Sequence, residues 1–184
     1  LPLTRHTPVS LLDVGGRAIL DHQLEALSQA GIEDTLVITG FCAERVEEFC
    51  KGRASCAFNP FYEACHVAMN LWTAREELGS GFVLIYNDII FETDVIREVL
   101  AGDGDTLLVV DRQGLDREAE KVVLREGAVT AMGKDVVDPY GEFIGIARFS
   151  QDAIPALVEE LEQVARTDLN ASFPNLIQRL VQRG

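Results

Sequence analysis

The chain has 184 residues and a formal net charge of −14, with 47% hydrophobic and 25% charged residues. These values fit one soluble globular domain, here residues 1–184. They exclude a general nucleic-acid binder, which needs a basic face, and docking on anionic membranes. No apolar run reaches membrane-spanning length. No signal-peptide pattern is present, the sequence opens at Leu1 rather than Met, and a cytoplasmic location is expected. Cys42, Cys50, Cys56 and Cys65 form no CxxC pair and lie in or beside apolar segments. They read as free, buried thiols rather than a zinc site.

Residues 1–12 carry two prolines and no clear period, which predicts a loop. Gly15-Gly16 makes a turn. Over residues 17–30, Ile19, Leu20, Leu24 and Leu27 recur at helical spacing, and Gly31 stops the helix. Residues 35–39 read as a buried strand, 43–51 as a helix with Val46, Phe49 and Cys50 inward, and 54–58 as a strand broken by Asn59-Pro60. A loop at 59–66 precedes a helix over 67–78.

Residues 81–88 follow, Gly-Phe-Val-Leu-Ile-Tyr-Asn-Asp. The continuous apolar run suits a strand buried on both faces. It ends in Asp88, and a carboxylate at the carboxyl end of such a strand borders the crevice where open α/β sheets bind ligands. Asp88 is therefore a candidate Mg²⁺ ligand; a cap on the next helix is the alternative. Thr93 is the expected N-cap of a helix running to residue 100, and residues 106–110 form another strand. The alternation predicts an α/β fold, a three-layer sandwich with a mostly parallel sheet. The pattern then changes. Residues 121–124 and 129–132 flank a hairpin turn, 143–149 is a strand, and 151–166 and 173–182 are helices, the second with Pro174 in its first turn.

The ordered blocks resemble a known family. These are 3–8 (Leu-Thr-Arg-His-Thr-Pro), 11–17 (Leu-Leu-Asp-Val-Gly-Gly-Arg), 37–41 (Val-Ile-Thr-Gly-Phe), 59–63 (Asn-Pro-Phe-Tyr-Glu), Leu71-Trp72, Asn87-Asp88, Lys121-Val122, Gly133-Lys134 and 141–146 (Gly-Glu-Phe-Ile-Gly-Ile). In order and spacing the chain resembles the nucleotidyltransferases that join an NTP to a phosphorylated small molecule and release pyrophosphate. Within them it looks most like the cytidylyltransferases acting on phosphocholine and related phosphorylated alcohols or phosphonates, with sugar-phosphate nucleotidyltransferases as the wider group. The resemblance implies the Rossmann-like, nucleotide-diphospho-sugar transferase type of fold, and CTP as the expected nucleotide. The expected acceptor is a phosphocholine, a phosphonate or a sugar phosphate. A homodimer is left open.

The same resemblance implies Asp88 and Lys134 as catalytic residues, Asp88 holding Mg²⁺ and Lys134 meeting the acceptor phosphate. It implies nucleotide contacts from Arg5, Gly40 and Asn70, and substrate contacts from Asn59, Tyr62, Tyr140 and Glu142. Each has an alternative: Arg5 as a surface charge, Lys134 paired with Asp135 or Asp138, and Glu142 flanking a turn. Phe61, Tyr62, Trp72, Tyr140 and Phe143 are enough aromatics for a quaternary-ammonium cage, although most aromatics are core. His6, His22 and His66 are too scattered for a metal site.

The chain departs from the family at several points. The sequence starts just beyond where the family has its first strand and its phosphate-cradling Ala-Ala-Gly-x-Gly-x-Arg loop, and the family's closing strand with a second metal-binding Asp is not within it. Val9 stands where a Lys is usual, Asn87 where a Gly is usual, and His66, Val67 and Asn70 depart from the phosphocholine branch. Both ends of the family's active site lie outside this sequence, so either it is part of a longer chain or the alternative function applies, a catalytically degenerate binding or regulatory domain.

Overall fold

The computed structural model describes residues 2–113 and 115–183; Leu1, Gly114 and Gly184 lie outside them. Two short 3₁₀ turns, Pro2–Thr4 and Val9–Leu11, occupy what the sequence predicted as a loop. The hairpin β1 (Asp13–Val14) and β2 (Arg17–Ala18) closes over Gly15-Gly16 and leads into α1 (Ile19–Gln29). Then come β3 (Leu36–Thr39), α2 (Ala43–Cys50), β4 (Ser55–Phe58), α3 (Val67–Thr73), β5 (Phe82–Ile85), α4 (Thr93–Ala101) and β6 (Thr106–Asp111). The antiparallel pair β7 (Lys121–Arg125) and β8 (Ala128–Gly133) follows. The chain ends with β9 (Gly141–Phe149), a 3₁₀ turn, α5 (Ile154–Thr167) and α6 (Phe173–Arg183).

Two compact units divide the chain, Leu1–Glu63 with Ile85–Asp103 and Ala64–Leu84 with Gly104–Gly184. In the first unit, β3 and β4 pair in parallel from Leu36↔Ser55 to Thr39↔Phe58. Leu20 and Leu24 of α1 pack with Val46 and Cys50 of α2, and Val37 and Cys56 close that cluster from the strands. The helical spacing had predicted these inward positions. Burial pushes the Cys50 thiol up to about 12, with a hydrogen bond to Cys56 adding to the shift. All four cysteines are free, but of them only Cys50 is buried; Cys42, Cys56 and Cys65 are half-buried.

The second unit is built on β9. Its residue Glu142 faces Asp111 of β6 on one edge and Lys121 of β7 on the other. Strand β5 is also bonded to β9 in this five-stranded sheet. The alternation predicted parallel neighbours. The pair β3–β4 is parallel, whereas β6–β9, β7–β8 and β7–β9 are antiparallel. Strands adjacent in sequence pattern need not be adjacent in a sheet, and the late arrival of β9 between earlier strands sets these directions. Phe149, Phe173, Leu157 and Leu161 form the core, with the Phe149 ring stacked on Phe82 at 5.0 Å and edge-on to Phe173 at 6.4 Å.

The β7–β8 turn places Glu126 at φ 52° and Gly127 at φ 84°. Positive φ at both central residues is the type I′ signature that matches strand twist, and Gly127 adopts it without a Cβ penalty. Two expectations need correction. Helix α3 stops at Thr73 rather than 78, and the chain continues in turns bonded from Arg75 to the Trp72 carbonyl and from Glu77 to the Ala74 carbonyl. Thr93 is not the cap of α4. Glu92 holds the N-cap position, and the Thr93 hydroxyl instead donates to Gln29 of α1 at 3.0 Å. Among the described residues, no helix is long and apolar enough to cross a membrane.

Candidate active site

Asp88 lies in the turn that follows β5, in the first unit, and is exposed together with Asn87. The cap reading finds no support at α4, whose N-cap is Glu92 and carries no side-chain cap bond. The turn itself is held from behind. Gln23 of α1 is a polar side chain with 5% exposure, and its amide nitrogen donates to the carbonyls of Tyr86 and Ile89, each at 2.8 Å. The sequence reading missed Gln23. Its signal was position: it falls between Leu20 and Leu27 on the face that α1 buries.

Gly40, Asn59 and Tyr62 come together at the carboxyl ends of β3 and β4. The Asn59 N–H donates to the Thr39 carbonyl at 2.9 Å, extending the parallel ladder by one rung. The Asn59 side chain is fully buried, and its Oδ1 accepts from the Phe61 N–H at 2.9 Å, which shapes the loop. Tyr62 folds back so closely that a Cβ on Gly40 would meet it at 2.5 Å. Its ring lies 6.2 Å from that of Phe58, and its hydroxyl donates to Glu63 at 3.1 Å, an interaction that holds the phenol above its usual range. Phe41, Phe58 and Phe61 are exposed around this loop. The ends of parallel strands are where α/β sheets receive ligands. Arg5, also in this unit, is exposed just after the first 3₁₀ turn.

The second unit groups three other candidates. Lys134 follows β8 and pairs with Glu118 at 2.8 Å, rather than with Asp135 or Asp138 as the charge-pair alternative had it. The Glu118 hydrogen bond holds the Lys134 ammonium above its ordinary range. The backbone carbonyl of Lys134 accepts from Lys121 at 2.8 Å. Lys121 in turn stands opposite Glu142 in the β7–β9 register. The Tyr140 N–H donates to the Val122 carbonyl at 2.8 Å, and the Arg112 guanidinium sits over the Tyr140 ring at 4.8 Å. One face of that ring thus already holds a cation. Lys134, Tyr140 and Glu142 therefore share one end of the sheet. Asn70 is half-buried on α3, away from this group in sequence but in the same unit. Of the other aromatics weighed for a cage, Phe143 is core and Trp72 carries Arg75 over its ring at 4.2 Å.

Magnesium asks for few protein ligands, because it keeps several waters and takes substrate phosphates for the rest. Among the described residues no group of three His, Cys, Asp or Glu forms a cage. One exposed carboxylate on a fixed turn suits that mode, so Asp88 fits the ion.

No family model matches the chain. The CTP:phosphoglutamine cytidylyltransferase of Campylobacter jejuni is 21% identical over 212 residues, an alignment covering all of this chain and 83% of that protein. The bifunctional IPC transferase and DIPP synthase of Aquifex aeolicus is 29% identical over 142 residues, 73% of this chain and 32% of that protein. Among solved structures, the inositol-1-phosphate CTP transferase of T. maritima superposes with a TM-score of 0.83 at 17% identity, covering 100% of this chain and 76% of that one. That likeness gives the fold, an α/β Rossmann-like architecture. The alignment over the whole chain adds a sequence likeness: the chain is similar to nucleotidyltransferases named for cytidylyl transfer.

Proposed function

We propose that the protein transfers a cytidylyl group from CTP to a phosphorylated small molecule and releases pyrophosphate. An oxygen of the acceptor phosphate attacks the α-phosphorus of CTP. The bond from that phosphorus to the bridging oxygen of the β-phosphate breaks, and its electron pair leaves with pyrophosphate. No protein nucleophile is required, so the protein's task is positioning and charge compensation. The observation that carries the reading is Asp88, an exposed carboxylate on a turn that follows an apolar strand and is fixed by two hydrogen bonds from the buried Gln23.

Asp88 holds Mg²⁺ in this account. When bound, the ion neutralises phosphate charge and orients the attack. In the first unit, Gly40 and the Asn59–Tyr62 loop border the nucleotide or acceptor at the strand ends and Arg5 contacts the nucleotide; in the second unit, the resemblance gives Asn70 a nucleotide contact and Lys134 the acceptor phosphate. Glu142 and Tyr140 face the acceptor's remaining part, an acid and an aromatic suited to an amine or ammonium group. CTP is favoured because two of the similar proteins are named for it.

The test is pyrophosphate release by the full-length protein with Mg²⁺, each of the four NTPs, and a panel of phosphocholine, phosphoglutamine, inositol phosphate and sugar phosphates. Acceptor-dependent release with CTP above the other nucleotides supports the reading. Nucleotide binding without release under any combination overturns it in favour of a binding module.

A further inference from the structure

We infer that Gln23 is a positioning residue for Asp88, acting through the backbone of the turn and not by touching the metal or substrate. The inference rests on the reading of Asp88 as the metal-holding carboxylate. Helix α1 buries Ile19, Leu20, Leu24, Ala26 and Leu27, and Gln23 lies among them. A primary amide in such a place must find partners for its hydrogens, because burying them unpaired is unfavourable. The Gln23 amide nitrogen has two hydrogens and makes two bonds, to the carbonyl oxygens of Tyr86 and Ile89, each at 2.8 Å.

Those two carbonyls bracket Asn87 and Asp88. One amide group therefore spans the turn from its inner side while the two side chains between its attachment points stand in solvent. A side chain that only satisfied itself in the core would need no such placement. The chemistry is also restrictive. Glutamate cannot donate two hydrogens to the carbonyls, and asparagine is one methylene too short to reach from the same backbone. Methionine keeps the length and apolar stem but donates nothing. Helix α4, which follows the turn, is tied to the same helix separately, Arg97 donating to the Gln29 carbonyl at 2.9 Å. Removing the Gln23 bonds therefore loosens the Asp88 turn while leaving α4 attached.

The experiment uses the full-length protein as Gln23→Met, with Asp88→Asn alongside. Mn²⁺ is titrated in the presence of CTP and followed by electron paramagnetic resonance. The Mg²⁺ concentration for half-maximal turnover and the hydrogen exchange of amides 87–90 are also measured. Partners that orient a metal ligand typically tune affinity 10- to 100-fold, so Gln23→Met should weaken Mn²⁺ binding and raise the Mg²⁺ requirement by roughly tenfold, with faster exchange across the turn. If Gln23→Met does not fold, Gln23→Ala, which lets water reach the two carbonyls, should show the same shift. Wild-type metal affinity in a Gln23 variant whose melting temperature has fallen, while Asp88→Asn loses the metal, overturns this inference alone. Wild-type metal affinity in Asp88→Asn overturns the metal reading and this inference with it.

Discussion

Gly40 and Tyr62 are packed so tightly that no side chain fits between them: a Cβ on Gly40 would lie 2.5 Å from the Tyr62 Cβ and 2.6 Å from its Cγ. The atoms it meets are the inner ones of the tyrosine, so rotating the ring cannot relieve the contact. The whole loop from Asn59 must move, and that loop is anchored by the buried Asn59 side chain.

Gly40→Ala should therefore destabilise the protein by about 1–3 kcal/mol, the usual range for overpacking, and should raise the KM for nucleotide or acceptor. Gly79→Ala is the control. Nothing lies within 4 Å of a Cβ there, and a change within about 0.5 kcal/mol is expected. Thermal melts and steady-state kinetics on the two variants check this. A Gly40→Ala protein as stable as Gly79→Ala would contradict it.

Lys134 and Glu118 form an exposed pair at 2.8 Å, and such pairs contribute little to stability. Lys134→Met should leave the melting temperature unchanged and raise the acceptor KM with little change in the CTP KM. The raised Lys134 pKa keeps the ammonium charged below its ordinary value of 10.5. The pair's contribution is lost only as pH rises through the raised folded value, in the alkaline range. Lys134 should thus add no break to the acceptor KM between about pH 6 and 9. Kinetics across that range, wild type against variant, is the check.

Asp21 ties α1 to its surroundings, bonded by Arg17 at 2.5 Å and by Arg53 at 2.8 Å. The Arg17 hydrogen bond is the main cause of its lowered carboxyl pKa, with Arg53 assisting against partial burial. A lowered folded pKa means that the stabilisation is present above the ordinary value of 3.8 and lost as pH falls through the folded value. Asp21→Asn should therefore melt below the wild type at pH 7, and the difference should close on acidification past that range. Parallel melts that stay apart in strong acid would contradict the assignment.

Much of this was legible in the sequence. The helical spacing of Ile19, Leu20, Leu24 and Leu27, the run before Asp88 and the Glu126-Gly127 turn each carry their own local signal, and the elements appear there. The partners were not legible. That Glu142 stands between Asp111 and Lys121 depends on strands distant in sequence, and that Lys134 chooses Glu118 over the adjacent Asp135 depends on how the loop before β7 returns. Gln23 was passed over because periodicity counts apolar residues, and a buried amide is visible only when its carbonyl partners are.

The central claim is that Asp88 serves a metal and not the fold, and Asp88→Asn tests it most directly. Turnover and thermal melting are measured on the same preparation. The account predicts an unchanged melting temperature and loss of metal-dependent pyrophosphate release, because the amide matches the carboxylate in size but lacks its charge. An Asp88→Asn protein that keeps metal-dependent pyrophosphate release while its melting temperature falls would contradict it.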